Sequence, residues 1–329
     1  MKFVEPAVLH TYKRSAGGND NANFNRSRQQ TDKDDPSCAV YIWLGMQRGQ
    51  TIRRRNADLS GKVLHTDRSA IPYRRDKTED ERFFILTLFA IAYELEAASF
   101  CGMGPVPVQL AVGLPPAHYG AQQRKFTEYF LNRGTVGFRL HDKRYKILID
   151  EVNCYPQSYA AAVTVFKSLQ NSPRALVIDI GGFTADYLLL RNGEGDLSVC
   201  DSLENGVILL YNRIKSRIAA ERDLLLDEAG IDAILLGDKH GQVDAVVERV
   251  VRQQAQEFVS DFLSALRERM LELKSGTVFF TGGGAVLLRH QIETSDKVRN
   301  PIFIDDIAAN VKGYQLLYQA EQNSRNHGR

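Results

Sequence analysis

The chain has 329 residues, an ordinary composition for a globular protein and a formal net charge of +2. That length exceeds one typical core, so two domains are expected, and the near-neutral charge argues neither for nor against a nucleic-acid partner. Cys38, Cys101, Cys154 and Cys200 lie far apart without a CxxC spacing, which speaks against a disulfide framework or a zinc site. The N-terminus carries no basic-then-apolar leader, and the most apolar run, Phe83 to Leu95, is too short to span a bilayer. A cytoplasmic protein without a membrane segment is the expectation.

In chain order, a polar Asn/Arg/Gln-rich stretch from Gly17 to Asp35 reads as a mobile loop or linker. Cys38 to Gly45 is a strand candidate. Gln47 to Arg75 is strongly basic, with Arg53-Arg54-Arg55 at its centre. It reads as a solvated, partly extended surface or as a partner contact. Thr78-Glu79-Asp80-Glu81 has the form of a capping box and opens a predicted helix from Glu79 to Ala98, apolar on nearly every side. Val108 to Val112 reads as a strand and His118 to Asn132 as a helix. Thr135 to Leu140 and Arg144 to Asn153 form a predicted hairpin. Pro156 sits where a helix can begin, which places Gln157 in the first turn of a helix from Tyr159 to Leu169.

The segment Ala175-Leu-Val-Ile-Asp179-Ile-Gly181-Gly182-Phe183-Thr184-Ala-Asp186-Tyr-Leu-Leu-Leu190 is two apolar runs joined by glycines, a strong hairpin signal. A two-glycine loop would pair Asp179 with Thr184. Period-two alternation then sets Asp179, Thr184 and Asp186 on one face beside glycine amides. Carboxylates hold hydrated Mg²⁺ and free amides hold phosphate. A plain buried hairpin with capped ends is the alternative. A helix follows from Glu204 to Leu226, then a short turn or strand from Gly230 to Gly237. Next come a long amphipathic helix from Asp244 to Lys274 and a buried strand, Thr277 to Thr281. That strand runs into Gly282-Gly283-Gly284 and a predicted helix from Ala285 to Ile292, an arrangement that presents helix-start amides to an anion. Ile302-Phe-Ile-Asp305-Asp306 precedes a C-terminal helix.

No GxxxxGK[ST] loop or complete GxGxxG is present. The hairpin followed later by a strand-GGG-helix unit resembles the actin-like ATPase superfamily. Asp80 to Ala92, Tyr155-Pro-Gln-Ser-Tyr-Ala-Ala161, Ser202 to Val207 and Phe303 to Tyr314 are similar to the ParM/StbA plasmid-segregation actins. The resemblance implies an α/β fold of two RNase H-like domains around a nucleotide cleft. It implies a first domain over residues 1–165, a second over 166–300 and a C-terminal segment over 301–329 that returns to the first domain. It also implies ATP with Mg²⁺, the ion held by Asp179 through water. Gly181, Gly182, Phe183, Thr184 and Asp186 would line the phosphates. Gly283 and Gly284, with Gly282, would face the adenosine and α-phosphate. Gln157 would orient the attacking water; glutamine is a poor base, so slow hydrolysis is expected. Glu204 and Lys215, on the helix after the hairpin, are candidates for base or ribose contacts, or are solvated surface charges.

The superfamily's first phosphate loop, a strand followed by Asp-x-Gly-x-x-x-x-Lys, has no counterpart in this sequence. Either the recorded start lies inside that loop, with Lys2 as its lysine, or ATP binding is weakened. The resemblance implies self-assembly into filaments that move plasmid or phage DNA through an adaptor protein, without direct DNA contact. It also implies an assembly role for residues 47–75. A non-polymerising ATPase, such as a kinase or chaperone-like switch, and a nucleotide-independent structural relative are the competing expectations.

Overall fold

The computed structural model describes residues 75–98, 104–140, 143–165, 172–238 and 244–327, with backbone strands at Val40–Trp43, Asn56–Leu59 and Lys62–His65. The polar stretch 17–35, Lys2 and Arg53 to Arg55 lie outside the described residues. The chain forms two compact units. One gathers the described residues up to 112 together with those of 122–154; the other gathers 113–121 and the described residues from 155 to 327. The division falls at 154/155, and the C-terminal segment groups with the second unit.

The first unit is built on a sheet of six strands: β1 (Val40–Trp43), β2 (Asn56–Leu59), β3 (Lys62–His65), β4 (Val106–Leu114), β5 (Thr135–Leu140) and β6 (Lys143–Pro156). Their order is β1-β4-β6-β5-β2-β3. β5 alternates exposed and buried residues, as expected of a strand with one covered face. Helix α1 (Arg82–Ala97) buries Phe84, Leu88, Phe89, Ile91, Ala92 and Leu95. The expected capping box does not form. Thr78 turns back onto Asp76 through its N–H (2.8 Å) and hydroxyl (2.6 Å), while Asp80 accepts from Arg82 N–H at 3.0 Å. A nearby carboxylate outcompetes Thr78 for the local amides. Helix α2 (Pro116–Leu131) meets α1 where the Tyr129 hydroxyl accepts from Phe84 N–H at 3.0 Å and donates to Asp80 O at 2.8 Å.

The second unit holds a five-stranded sheet in the order β11-β10-β7-β8-β9. β7 (Arg174–Ile180), β8 (Ala185–Arg191) and β9 (Glu194–Leu203) form an antiparallel meander. β10 (Thr277–Thr281) and β11 (Pro301–Phe303) add parallel to β7. Helices α4 (Val207–Arg222), α5 (Glu228–Leu236) and α6 (Ala245–Glu268) cover one face, sharing a core with Leu176, Ile178, Ile180, Val278 and Phe280. α3 (Tyr159–Val163) and α9 (Ala309–His327) cover the other, over Ala175, Val177, Leu188, Leu190 and Phe279. Two short helices, α7 (Gly283–Leu287) and α8 (Arg289–Glu293), replace the single predicted helix after the glycines. α5 stands where a turn or strand was expected. Asp227 caps its start by accepting from Gly230 N–H, and Gly237, at φ 75°, ends it.

Candidate functional site

The residues that matter converge at the C-terminal ends of β7 and β10. The register pairs Thr281 with Asp179, Asp179 with Asp186, and Asp186 with Ser202. Four adjacent strands thus carry a row of polar side chains where their interiors are apolar. The expected Asp179–Thr184 pair is corrected. The hairpin loop holds four residues, Gly181 to Thr184, closed by Gly181 N–H donating to Thr184 O at 2.8 Å. The register moves by two, so the face of each side chain is preserved. Asp179 and Asp186 still look the same way, toward the layer of α3 and α9.

The start of α4 holds this loop from behind. Gly206, Val207 and Ile208 donate their N–H groups to the carbonyls of Phe183, Gly181 and Gly182 at 3.0, 3.1 and 2.9 Å. Such close apposition requires Gly206 to lack a side chain, because a Cβ there would overlap Gly182 O and Phe183 C. The Gly181 amide closes the loop and is therefore not a free phosphate donor. Phe183 is exposed at the loop tip, and Thr184 Oγ1 donates to Asp186 Oδ2 at 3.4 Å. The Ser202 hydroxyl donates to Asp186 Oδ1.

The second glycine run begins beside Asp179. Gly282 has φ 89° and lies so close that a Cβ would overlap Asp179 Oδ1. A Cβ on Gly284 would meet Ile180 Cγ2 at 2.5 Å and Val207 Cγ1 at 2.9 Å. Gly283, in contrast, has nothing within 4 Å of where its Cβ would stand. Gly282 and Gly284 therefore seat the turn against β7, while Gly283 leaves open space for a ligand to approach the backbone.

Asp179 is almost fully buried, which pushes its carboxyl above the usual carboxylate range; the hydrogen bond from Asn310 pulls the other way. Asn310, in the first turn of α9, donates Nδ2–H to Asp179 Oδ2 at 2.7 Å and accepts Ser158 N–H on Oδ1 at 2.9 Å. Gly313, one turn further on, brings α9 against α3, since a Cβ there would overlap Ala160 O. Ser158 is completely buried at φ 60° and its hydroxyl has no hydrogen-bond partner. Strained backbone and an orphan hydroxyl at one residue are features that cluster at functional sites.

Gln157 is not in a helix. Pro156 closes β6, and Gln157 occupies the turn before α3, donating its N–H to Leu114 O at 2.8 Å. One side chain, Asn310, links this turn to Asp179. Glu204 also lies off the helix, exposed in the turn before α4. Lys215 sits on α4, roughly 14 Å along its axis from Gly206, and pairs with Glu228 at 3.2 Å. The structure does not bring Lys215 to the glycine loops. Asn310, Ser158, Ser202 and Gly206 escape the sequence reading as individual residues.

Among the described residues no cluster of three His, Cys, Asp or Glu side chains could hold a metal. Asp179 nevertheless suits a hydrated cation. It is a buried acid whose neighbour is a neutral amide, so a positive charge would relieve the cost of its ionisation. The site can thus hold an anion along its loops and a cation bridged to Asp179 by water.

Two family models match the chain: "Actin like proteins N terminal domain" over residues 58–159 and "Archaeal actin homologue MreB-like, C-terminal" over 177–294. Solved structures share the fold. The archaeal actin homologue Ta0583 is 15% identical with a TM-score of 0.61, covering 83% of this chain and 90% of that one. The apo pSK41 ParM protein is 16% identical with a TM-score of 0.58, covering 85% and 88%. A ParM from a 15-stranded filament of Clostridium botulinum is 15% identical with a TM-score of 0.59, covering 84% and 90%. Ta0583 has also been solved in complex with ADP. No curated protein matches the chain in sequence.

Proposed function

This chain is an actin-like protein, and on that premise we propose that it is an ATPase of the ParM type. In this reading it assembles into filaments with ATP and moves plasmid or phage DNA through an adaptor. The observation that carries the nucleotide reading is the side-by-side placement of the two glycine loops, with Asp179 between them. Backbone at Gly182 to Thr184 and at Gly283 would take the phosphates and the nucleoside side respectively. Asp179 would hold Mg²⁺ through water, with Asp186 and Ser202 completing the polar row. The ion, when bound, neutralises phosphate charge.

Gln157 would orient the attacking water. Its turn is tied through Asn310 to Asp179, so water and cation would be positioned by one connected set of groups. A glutamine cannot accept the proton, which favours slow turnover and suits a timer of filament age. The ADP complex of Ta0583 and the filament of the Clostridium botulinum ParM support nucleotide binding and self-association as the starting point. Among the described residues no helix is long and apolar enough to cross a membrane.

The test is light scattering and sedimentation with ATP, ADP or no nucleotide, on wild type and Asp179→Ala. Scattering that requires ATP and Mg²⁺, and is lost in the variant, is the expected result. Unchanged ATP turnover in Asp179→Ala would refute the site. Scattering indifferent to nucleotide would refute the switch.

A further inference from the structure

The turn joining α4 to α5 reads Asp223-Leu224-Leu225-Leu226-Asp227. Leu225 is 95% exposed and Leu224 42%. Asp223 ends α4 in the left-handed conformation, at φ 50°, and Asp227 caps α5, so carboxylates flank the leucines on both sides. The surrounding charges are matched: Arg222 with Asp244 at 3.0 Å, Lys215 with Glu228 at 3.2 Å. The result is an apolar tip with an acidic collar.

At the start of β7 and β10 lies a cleft of about 790 Å³, floored in part by Leu271 and Ile302 and rimmed by Arg174, Lys274 and Arg299. Its acid, Glu272, is turned onto the N–H groups of Lys274 (2.7 Å) and Ser275 (3.2 Å). Three cations against one engaged carboxylate make this a basic-rimmed apolar receptacle, the converse of the leucine tip.

The two features belong to the same unit but sit at opposite ends of α6. The Arg222–Asp244 pair ties the tip to the beginning of that helix, and Leu271 follows its end. Twenty-four residues of helix separate them by about 36 Å. The tip therefore cannot enter the cleft of its own chain. We propose that the Leu224–Leu225 tip of one copy docks into the Arg174/Lys274/Arg299 cleft of a second copy. The two surfaces differ, so the contact is heterologous; each copy leaves one tip and one cleft unused, and the assembly extends head to tail. The inference rests on the self-assembly reading above and adds to it the surfaces that meet.

The charge pattern permits a test that separates this contact from misfolding. Asp223→Lys with Asp227→Lys gives a chain whose tip and cleft are both basic. Arg174→Glu with Lys274→Glu and Arg299→Glu gives one whose tip and cleft are both acidic. Sedimentation with ATP and Mg²⁺ is measured for each chain alone and for an equimolar mixture. Each alone should raise the critical concentration about tenfold or more, and the mixture should sediment again as an alternating copolymer. Leu225→Asp, at a position with almost no packing to lose, should also abolish sedimentation. Wild-type sedimentation in any of these variants overturns the proposal. So does a mixture that stays soluble while both chains keep the circular dichroism of the folded protein. Wild type that fails to sediment under every nucleotide condition overturns the self-assembly reading itself, and this contact with it.

Discussion

Replacing Asn310 with alanine should unlock the site without touching a ligand-facing group. The carboxamide makes two buried bonds, to Asp179 Oδ2 at 2.7 Å and from Ser158 N–H at 2.9 Å. Ser158 is fully buried and Asp179 9% exposed, so water cannot simply replace the lost partner at Ser158. An unmade bond at a buried group costs about 1–3 kcal/mol, and two of them give about 3 kcal/mol after partial relaxation. With a urea dependence of about 2–3 kcal/mol/M, the unfolding midpoint should fall by about 1 M. Asn310→Asp keeps the acceptor for Ser158 but sets a second carboxyl against Asp179, so the two must share a proton. Urea unfolding followed by circular dichroism, with chelator and no nucleotide, measures both. An Asn310→Ala protein within about 0.5 kcal/mol of wild type would refute the claim that this side chain ties the Gln157 turn to Asp179.

The glycine run offers a paired prediction. Gly282→Ala must place a Cβ over Asp179 Oδ1 at φ 89° and should cost about 3 kcal/mol or more, whereas Gly283→Ala, with nothing within 4 Å, should cost less than about 1 kcal/mol. Thermal unfolding of the two proteins checks the order, and equal losses would sink it. In the first unit, half-burial raises the Glu94 carboxyl to about 7 from its ordinary 4.5. A raised acid favours the folded state in its protonated form. Its contribution is present in full below about pH 4.5 and is lost as pH rises through 7. Glu94→Gln should therefore stabilise the protein by about 1–2 kcal/mol at pH 8, discounting for solvent screening, and hardly at pH 4. A pH-independent effect would show that burial is not the cause.

Both glycine loops are legible in the sequence because apolar runs bounded by glycine are local signals. The sequence sets Asp179 and Asp186 on one face, and they share it although the hairpin register differs by two. Facing depends only on odd and even positions, so it survives an error that loop length does not. Asn310 is different. It lies 131 residues from Asp179, and an asparagine in a helix's first turn reads as a cap until the partner is seen. The φ of Ser158 has no composition signal at all. β9 is hidden because most of its residues are exposed or half-buried, so no clean alternation appears. The helix at 228–236 is hidden by Gly230, which is tolerated because its N–H satisfies Asp227 and the helix is capped. Gln157 and Glu204 both fall outside the helices the sequence predicts for them, for one reason: each stands just before a helix, in the turn that aims the chain into it.

The bonds from Gly206, Val207 and Ile208 to the hairpin carbonyls have a mechanical side. They spend the donors of α4 on the loop, so the helix cannot stay behind when the loop moves. α4 is sixteen residues of hydrogen-bonded rod, about 24 Å long, and its far end carries Leu224 and Leu225. A small tilt at the loop end is magnified at the leucine end, as at the tip of a pointer. If the loop holds a phosphate as proposed, losing it would swing the apolar tip through a larger arc than the loop itself travels. Chemistry at one end of α4 would be read as shape at the other, through a helix whose own hydrogen bonds need not change.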